Sequence, residues 1–266
     1  MKLKRVFAIY LRQLFLLKDN PTRFINIFVW IVLDVILWGF ITKYLNTVGD
    51  TSYSFVPQLL GAVIFWDFLT RIQQGIMLAF LEDVWSQNFL NLFASPLTLK
   101  EYVCGLIVTS ITTSAAGLLV MLALAWLFFG YSIVPFGFHL ISLIGILFIF
   151  GLSLGIFTSG IVLRFGPSAE WIAWPIPFII APFVGIYYPV ATLPEFLQPI
   201  PMILPASYAF EGMRSILLSG TVSTSGLLAG LGLACIFLVF ASIFFVRIYR
   251  YVLRSGMLTK FNVESI

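Results

Sequence analysis

The segment from Leu81 to Lys100, LEDVWSQNFLNLFASPLTLK, interrupts a chain that is otherwise dominated by long apolar runs. Its large apolar side chains, Trp85, Phe89, Leu92 and Phe93, recur at the spacing of an α-helix. Most of its polar residues fall on the other side of that helix, and a Ser-Pro pair ends the pattern. Because such a helix is too short and too polar to cross a bilayer, we predict that it lies at a membrane surface with its aromatic face inward.

The composition of the whole chain indicates an integral membrane protein. Of the 266 residues, 61% are apolar and only 10% are charged, whereas a soluble domain carries about 25% charged residues. We therefore expect an all-α integral membrane protein with a single transmembrane domain over residues 1–266. The net charge of +4 is small and gives no reason to expect a nucleic-acid partner.

Six apolar stretches are long enough to be transmembrane helices. They cover residues 24–44, 55–81, 102–129, 138–163, 171–188 and 225–246.

Three further segments complete this organisation. Residues 1–20 form a basic amphipathic segment, which predicts a helix at the membrane interface. Residues 82–100 form the surface helix between the second and third spans. The proline-rich residues 189–220 predict two short helices that dip into the membrane from outside, because re-entrant backbone is tolerated where protein surrounds it.

The distribution of Lys and Arg predicts the orientation. With the N-terminus inside, twelve of these residues fall on the cytoplasmic side, and only Lys43 and Arg214 fall outside. This bias places both termini in the cytoplasm. The surface helix then belongs to a cytoplasmic loop, and the segment 189–220 lies on the outer side.

Three charged residues fall in the interior of predicted spans, away from the span ends. Asp34 lies near the middle of the first span, and Asp67 and Arg71 lie one helical turn apart in the second. A charge at the centre of a bilayer costs at least about 2.5–3.5 kcal/mol, so we expect the three to pair. Two interpretations stay open: an ion pair that locks the first span to the second, or a polar patch or proton relay facing a transport path.

Motifs in two loops carry a resemblance to a known family. The run Leu90-Asn91-Leu92-Phe93-Ala94-Ser95-Pro96 ends the surface helix, and Tyr188-Pro189-Val190, Leu193-Pro194 and Leu204-Pro205 precede Glu211-Gly212-Met213-Arg214. In this order, after an amphipathic N-terminal segment and among six spans, they resemble the membrane subunit of ABC-2-type transporters. Many members carry an acidic, arginine and glycine run at the start of the surface helix, where this chain has Trp85-Ser86-Gln87-Asn88.

The resemblance implies a permease subunit, not an enzyme, in a bacterial plasma (inner) membrane. Two copies of the chain would pair, and each would dock on a separate ATP-binding subunit. Since the sequence has no glycine-rich P-loop, Mg-ATP is expected in that partner, and no cofactor or metal is expected in this chain. The implied substrate is a lipid-linked glycan or another amphipathic molecule, exported past membrane lipid.

The resemblance also implies roles for particular residues. Coupling to the ATPase is expected of Glu82, Asp83, Trp85, Phe89, Leu92, Phe93 and Pro96. An external gate is expected of Pro189, Pro194, Pro205, Glu211 and Arg214. For the last two, three residues apart, a pair that only stabilises its own helix is an equal alternative.

A second class of function is a secondary transporter or channel that acts alone and uses Asp34, Asp67 and Arg71. Such proteins often contain internal repeats with paired discontinuous spans. The two halves of this sequence show no convincing similarity, and the proline-rich segment occurs once. These observations favour the permease subunit.

Overall fold

The computed structural model describes residues 2–19, 21–48, 56–86 and 88–255, and within this part of the chain every regular element is helical. Side chains of residues 21–28, and of Val56, Phe89, Leu90, Phe93 and Pro167, lie outside the description. So do Phe55, where the second span was predicted to begin, and Lys260 of the basic tail.

The helices are α1 (Leu3–Asp19), α2 (Pro21–Val48), α3 (Gly61–Trp85), α4 (Asn88–Ala94), α5 (Leu99–Phe129), α6 (His139–Phe165), α7 (Glu170–Ala173), α8 (Ile176–Ile180), α9 (Pro199–Ile203), α10 (Pro205–Ser219) and α11 (Thr224–Ser255). A π-helical turn leads into α3, and 3₁₀ turns lie at Val134–Phe136, Pro167–Ala169, Ala181–Phe183 and Val190–Thr192.

Within the described part of the chain, four helices are long and apolar enough to cross a membrane. They are the part of α2 from Val29 to Val48, and α5, α6 and α11. These correspond to the first, third, fourth and sixth predicted spans. The fold class, an all-helical multi-pass membrane protein, therefore agrees with the prediction, whereas a count of six spans stays a prediction.

The second predicted span corresponds to α3, which is the central helix of the bundle. Most of its side chains are buried among α2, α5 and α6. Its polar residues, Asp67, Arg71 and Gln73 among them, lower its hydropathy below that of the four apolar helices. A helix surrounded by protein can carry such residues, because they face neighbouring helices instead of lipid.

Small residues of α6 bring its backbone against α3. A Cβ atom on Gly151 would lie 2.9 Å from the carbonyl oxygen of Leu69, and one on Gly155 would lie 3.0 Å from the Cβ of Ile76. Glycine at these positions therefore allows the two helices to pack closely within one subunit.

The fifth predicted span, 171–188, is not one helix. Between Glu170 and Phe183 the chain forms α7, α8 and a 3₁₀ turn, and this stretch is shorter than the spans above. Pro175, Pro177 and Pro182 explain the interruption, because proline lacks the backbone N–H that continues a helix. Gly185, with φ of +69°, then turns the chain.

The predicted surface helix 82–100 is also divided. Its first residues extend α3 to Trp85, a turn follows at Ser86, and α4 takes up seven residues. The helix α5 begins at Leu99, where the side chains of Thr98 and Glu101 form a capping box. The surface segment is therefore a short helix between two turns.

Candidate functional site

The helix α4 lies where the C-terminal end of α3 and the start of α5 meet. Leu92 is partly buried and packs on a cluster that contains Phe80 and Tyr102. The hydroxyl of Ser95 donates to the carbonyl of Leu92 at 2.5 Å, which closes the end of the helix. Asn91 faces solvent. The backbones of Phe89 and Phe93 are part of α4, but the predicted inward direction of their side chains lies outside the described part of the structure.

Other predicted coupling residues surround α4. Trp85 is 49% exposed, and Pro96 is exposed. Glu82 is partly buried and, with Trp85, lines a cleft of about 750 Å³ between the end of α1 and the start of α4. The other residues of the cleft are Arg12, Leu16, Asp19, Ser86 and Asn88.

Asp83 is not on the exposed side of the surface segment, where the sequence pattern placed it. Its side chain is fully buried and forms an ion pair with the guanidinium of Arg12 on α1. The hydroxyl of Tyr102 donates to its other oxygen at 2.7 Å. A carboxylate satisfied by these two groups inside the bundle is not available for direct contact with a partner.

The ion pair also affects the titration of Arg12. Burial alone would lower the pKa of this guanidinium, but its hydrogen bond with Asp83 and the negative charge of Asp83 offset that effect. The pKa of Arg12 is therefore raised above its ordinary value, and the guanidinium stays charged.

A second carboxylate, Glu101, holds the beginning of α1. One of its oxygens accepts the backbone N–H of Lys2 at 2.7 Å, and the other accepts the guanidinium of Arg5 at 3.3 Å. The same carboxylate accepts the backbone N–H of Thr98 at 3.0 Å as part of the capping box. Glu101 is almost completely buried, so these donors compensate for the loss of water.

We call the set Arg5, Arg12, Asp83, Glu101 and Tyr102 the brace. It ties the beginning and the middle of α1 to the start of α5 and to the end of α3, the two helices that flank α4. Close packing adds to these bonds, because a Cβ on Gly105 would lie 2.5 Å from the Ile9 side chain. Movement of α4 relative to α1 would have to bend or break the brace.

Sequence reasoning did not assign Arg12, Glu101 or Tyr102 to this site. The sequence does contain a signal for Glu101, because Thr98-Leu99-Lys100-Glu101 has the spacing of a capping box at the start of an apolar run. No comparable local pattern pairs Arg12 with Asp83, because 71 residues separate them.

The charged residues predicted inside the membrane come together across α2 and α3. The side chains of Asp34 and Asp67 are hydrogen-bonded to each other, and both lie within electrostatic reach of Arg71. All three are partly buried. Both interpretations of this group, a structural lock and a polar patch, stay open.

We predict that Asp67→Asn and Arg71→Gln each destabilise the protein more than the double substitution does. Each single change leaves the Asp67–Arg71 interaction with one partner, whereas the double change removes both partners, and Asp34 is present in all four proteins. The expected coupling between the two sites is about 1 kcal/mol, within the range for residues in one network. Thermal unfolding of the four proteins in detergent measures it, and additive losses would exclude an energetic link.

At the opposite end of the bundle, Glu211 and Arg214 join α10 to the turn that follows α8. Arg214 donates to Glu211 at 2.5 Å, and it also donates to the carbonyl oxygens of Gly185 at 2.7 Å and Tyr188 at 3.1 Å. The carboxylate of Glu211 accepts the backbone N–H of Val190 at 2.8 Å. The pair therefore does more than stabilise its own helix, since it fixes the 185–190 turn.

The predicted prolines of this region occupy different environments. Pro189 and Pro194 are exposed, whereas Pro205 is buried at the first position of α10. There its fixed φ angle suits a helix start. The segment 189–220 does contain two helices, α9 and α10, and its re-entry into the membrane stays a prediction.

We expect Arg214→Met to destabilise the protein by about 2 kcal/mol, because hydrogen bonds to charged groups are among the stronger ones and two carbonyls would lose their donor. Arg214→Lys keeps the charge but not the planar fork, so it should recover only part of the loss. Chemical denaturation in detergent distinguishes the two variants. Equal stability of Arg214→Met and the unaltered protein would show that the turn does not depend on this contact.

The described residues contain no group of three or more His, Cys, Asp or Glu side chains that could hold a metal ion. Cys104 and Cys235 are both free thiols.

A family model described as "ABC-2 type transporter" matches residues 5–218 of the chain. The matched range begins in α1 and ends near the end of α10, so it includes α4, the brace and the Glu211–Arg214 contact. Among curated proteins, none matches the chain.

Proposed function

We propose that this chain, which belongs to the ABC-2 type transporter family, is the membrane subunit of an ATP-driven exporter. Members of this family are permease subunits of ABC transporters. The chain is accordingly a multi-pass membrane protein with a role in transmembrane transport. The identity of the partner subunit, the stoichiometry of the complex, the orientation in the membrane and the class of substrate are our proposals.

The observation that carries the proposal is the position of α4. This short helix interrupts the apolar helices and lies beside an open cleft, and the brace ties its neighbours to α1. A separate ATP-binding subunit that docks on α4 and the cleft could pass its closing motion to α3 and α5 as a rigid-body shift. Trp85 and Glu82 then contact the ATP-binding subunit. Asp83 does not contact it directly, but its ion pair with Arg12 transmits the movement to α1.

Six membrane crossings fit this chain if α3 and the interrupted stretch from Glu170 to Phe183 are added to the four apolar helices. At 1.5 Å per residue, the 25 residues of α3 extend about 37 Å, which exceeds the roughly 30 Å of a hydrocarbon core. The interrupted stretch can lie at membrane depth where protein covers its backbone.

The orientation with both termini in the cytoplasm is supported by which residues share an end of the bundle. Lys2 and Arg5 meet the start of α5. The guanidinium of Arg164, at the end of α6, lies 4.3 Å from the ring centroid of Tyr251 near the end of α11. All these segments are basic and were predicted on the cytoplasmic side, so one end of the bundle concentrates positive charge.

We further propose a homodimer of this chain with two ATPase subunits in a bacterial inner membrane. The exported molecule would be a lipid-linked glycan or another amphipathic compound. The α10 segment and the 185–190 turn would form the outer mouth of the path. The alternative of a transporter or channel that acts alone is not favoured, since the family works with an ATP-binding partner.

Co-purification tests the proposal. The chain is expressed together with the ATPase encoded beside it and extracted in mild detergent, and the mass and the ATP hydrolysis of the complex are measured. We expect two copies of each subunit and ATP hydrolysis that differs from that of the ATPase alone. A monomer that retains no ATPase under conditions where both proteins are folded would contradict the proposal.

A further inference from the structure

A cavity of about 160 Å³ lies between α1, α3 and α5. Its lining is unusually polar for the interior of an apolar bundle. The polar residues that line it are Gln13, Arg71, Gln74, Thr109, Thr113 and Ser114. The volume is sufficient for several water molecules.

Gln13 is the residue of this cavity whose hydrogen-bonding groups most clearly lack a partner within the described part of the chain. Its side chain is 1% exposed, and neither its amide nitrogen nor its amide oxygen hydrogen-bonds to any of the described residues. A buried amide without partners is costly. The face of α1 that carries Gln13 is packed against the bundle, with Val6 and Ile9 also buried, so poor docking of the helix does not explain this residue.

The other polar groups show what kind of occupant fits. The hydroxyls of Thr109 and Thr113 donate to the carbonyls of Gly105 and Thr109, each at 3.0 Å. Their oxygens can therefore still accept hydrogen bonds from the cavity. The amides of Gln13 and Gln74 can both donate and accept. This mixture of donors and acceptors matches water, which does both.

The charges next to the cavity disfavour an anion. Arg71 brings one positive charge, but Asp34 and Asp67 both lie within electrostatic reach of it. A phosphate or a carboxylate would meet two acidic side chains beside a single cation. Charged groups at membrane depth characteristically face protein partners or a water-filled cavity, and Arg71 lines this cavity beside its two acidic neighbours.

We propose that the cavity is a water-filled chamber that satisfies Gln13 and hydrates Arg71 from the side of α1. The charged group formed with Asp34 and Asp67 then borders water on the side of α1, and α1 packs partly against that water. This inference does not depend on the proposed transport function, because it concerns only the contacts of α1, α3 and α5.

Thiol labelling tests the proposal in the full-length chain, reconstituted in lipid nanodiscs, with Cys104 and Cys235 replaced by serine. Ser114→Cys places a thiol in the cavity wall, where the native side chain is 2% exposed. The matched control is Leu119→Cys, on the same helix at a position that is 67% exposed on the outer surface of the bundle. The probe is the small reagent 2-aminoethyl methanethiosulfonate, and mass spectrometry follows the modification.

We expect the thiol at position 114 to react at least ~10-fold faster than the thiol at 119, because the thiolate is the reactive form and apolar surroundings suppress it. A bulky fluorescein maleimide should not label position 114, since it exceeds the cavity volume. A rate at 114 no faster than at 119, or equal labelling by the bulky reagent, would overturn the proposal. Thr113→Cys repeats the test if Ser114→Cys does not fold.

A second variant gives an independent readout. Gln13→Leu replaces the amide with an apolar side chain of similar size. In a water-filled chamber the change removes hydrogen bonds to water, so the melting temperature in detergent should fall. In a dry cavity the change removes an unsatisfied amide, so the melting temperature would rise, and that result would contradict a chamber.

Discussion

Arg12→Met is expected to lower the free energy of unfolding by about 3 kcal/mol, because removal of one partner from a buried ion pair leaves the other charge uncompensated. The charge left behind is that of Asp83, whose side chain is fully buried and, among the described residues, keeps the Tyr102 hydroxyl as its one donor. Methionine preserves much of the aliphatic length of arginine, so the loss reports mainly on charge. Chemical denaturation in detergent measures the effect.

Arg5→Met is the matched control for that substitution. Arg5 is on the same helix, also contacts a buried carboxylate and is similarly exposed, at 30% against 26% for Arg12, but Glu101 keeps the backbone donors of Lys2 and Thr98. We expect a loss below about 1 kcal/mol, because these donors continue to satisfy the buried carboxylate when Arg5 is removed. Equal losses of unfolding free energy for the two variants would show that the Arg12–Asp83 contact stabilises the protein no more than the Arg5–Glu101 contact does.

Gly151→Leu is expected to destabilise the protein by about 3 kcal/mol or more, the upper range for overpacking a core. Even a Cβ at this position would lie 2.9 Å from the Leu69 carbonyl oxygen and 3.0 Å from the Ile72 side chain. The oxygen is part of the α3 backbone and cannot rotate away, so α6 and α3 must separate. Because α3 carries Asp67, Arg71 and Asp83, the separation should also reduce ATP-dependent transport.

Gly145→Leu, on the same helix, is the control for this change. A Cβ there has no neighbouring atom within 4 Å, so the substitution should alter stability by less than about 1 kcal/mol, the usual cost of a glycine change in a helix. Thermal unfolding and the yield of folded protein compare the two variants. If Gly151→Leu behaves like Gly145→Leu, the close contact between α3 and α6 is not needed for the fold.

Much of the fold follows from hydropathy alone. The long apolar runs predict α2, α5, α6 and α11, because a lipid-facing helix must be apolar over its whole length. The same reasoning describes α3 less well, since Asp67 and Arg71 are tolerated only because other helices surround them. Hydropathy also does not predict the interruption of the fifth span, where three prolines remove backbone N–H groups that a continuous helix requires.

The candidate site is harder to predict because its decisive contacts are distant in sequence. Amphipathic spacing locates the surface segment, but it also places Asp83 on the exposed side. The prediction is wrong for Asp83 because this residue belongs to the last turn of α3 and not to a separate surface helix. In that turn, packing against α1 and α5 sets the direction of the side chain. The links Arg12–Asp83 and Lys2–Glu101 join residues 71 and 99 positions apart, and no local pattern encodes them.

Cross-linking from α4 tests the central claim most directly, namely that an ATP-binding subunit docks at this end of the bundle. Asn91→Cys in a chain without Cys104 and Cys235 places a thiol on an exposed residue of α4, and Thr192→Cys places one on an exposed residue near the 185–190 turn. Both are coupled to a photoactivatable maleimide and illuminated in the purified, ATP-hydrolysing complex. We expect a covalent product with the ATPase from position 91 and none from position 192. A complex that hydrolyses ATP but cross-links only from position 192, or from neither position, would contradict the claim.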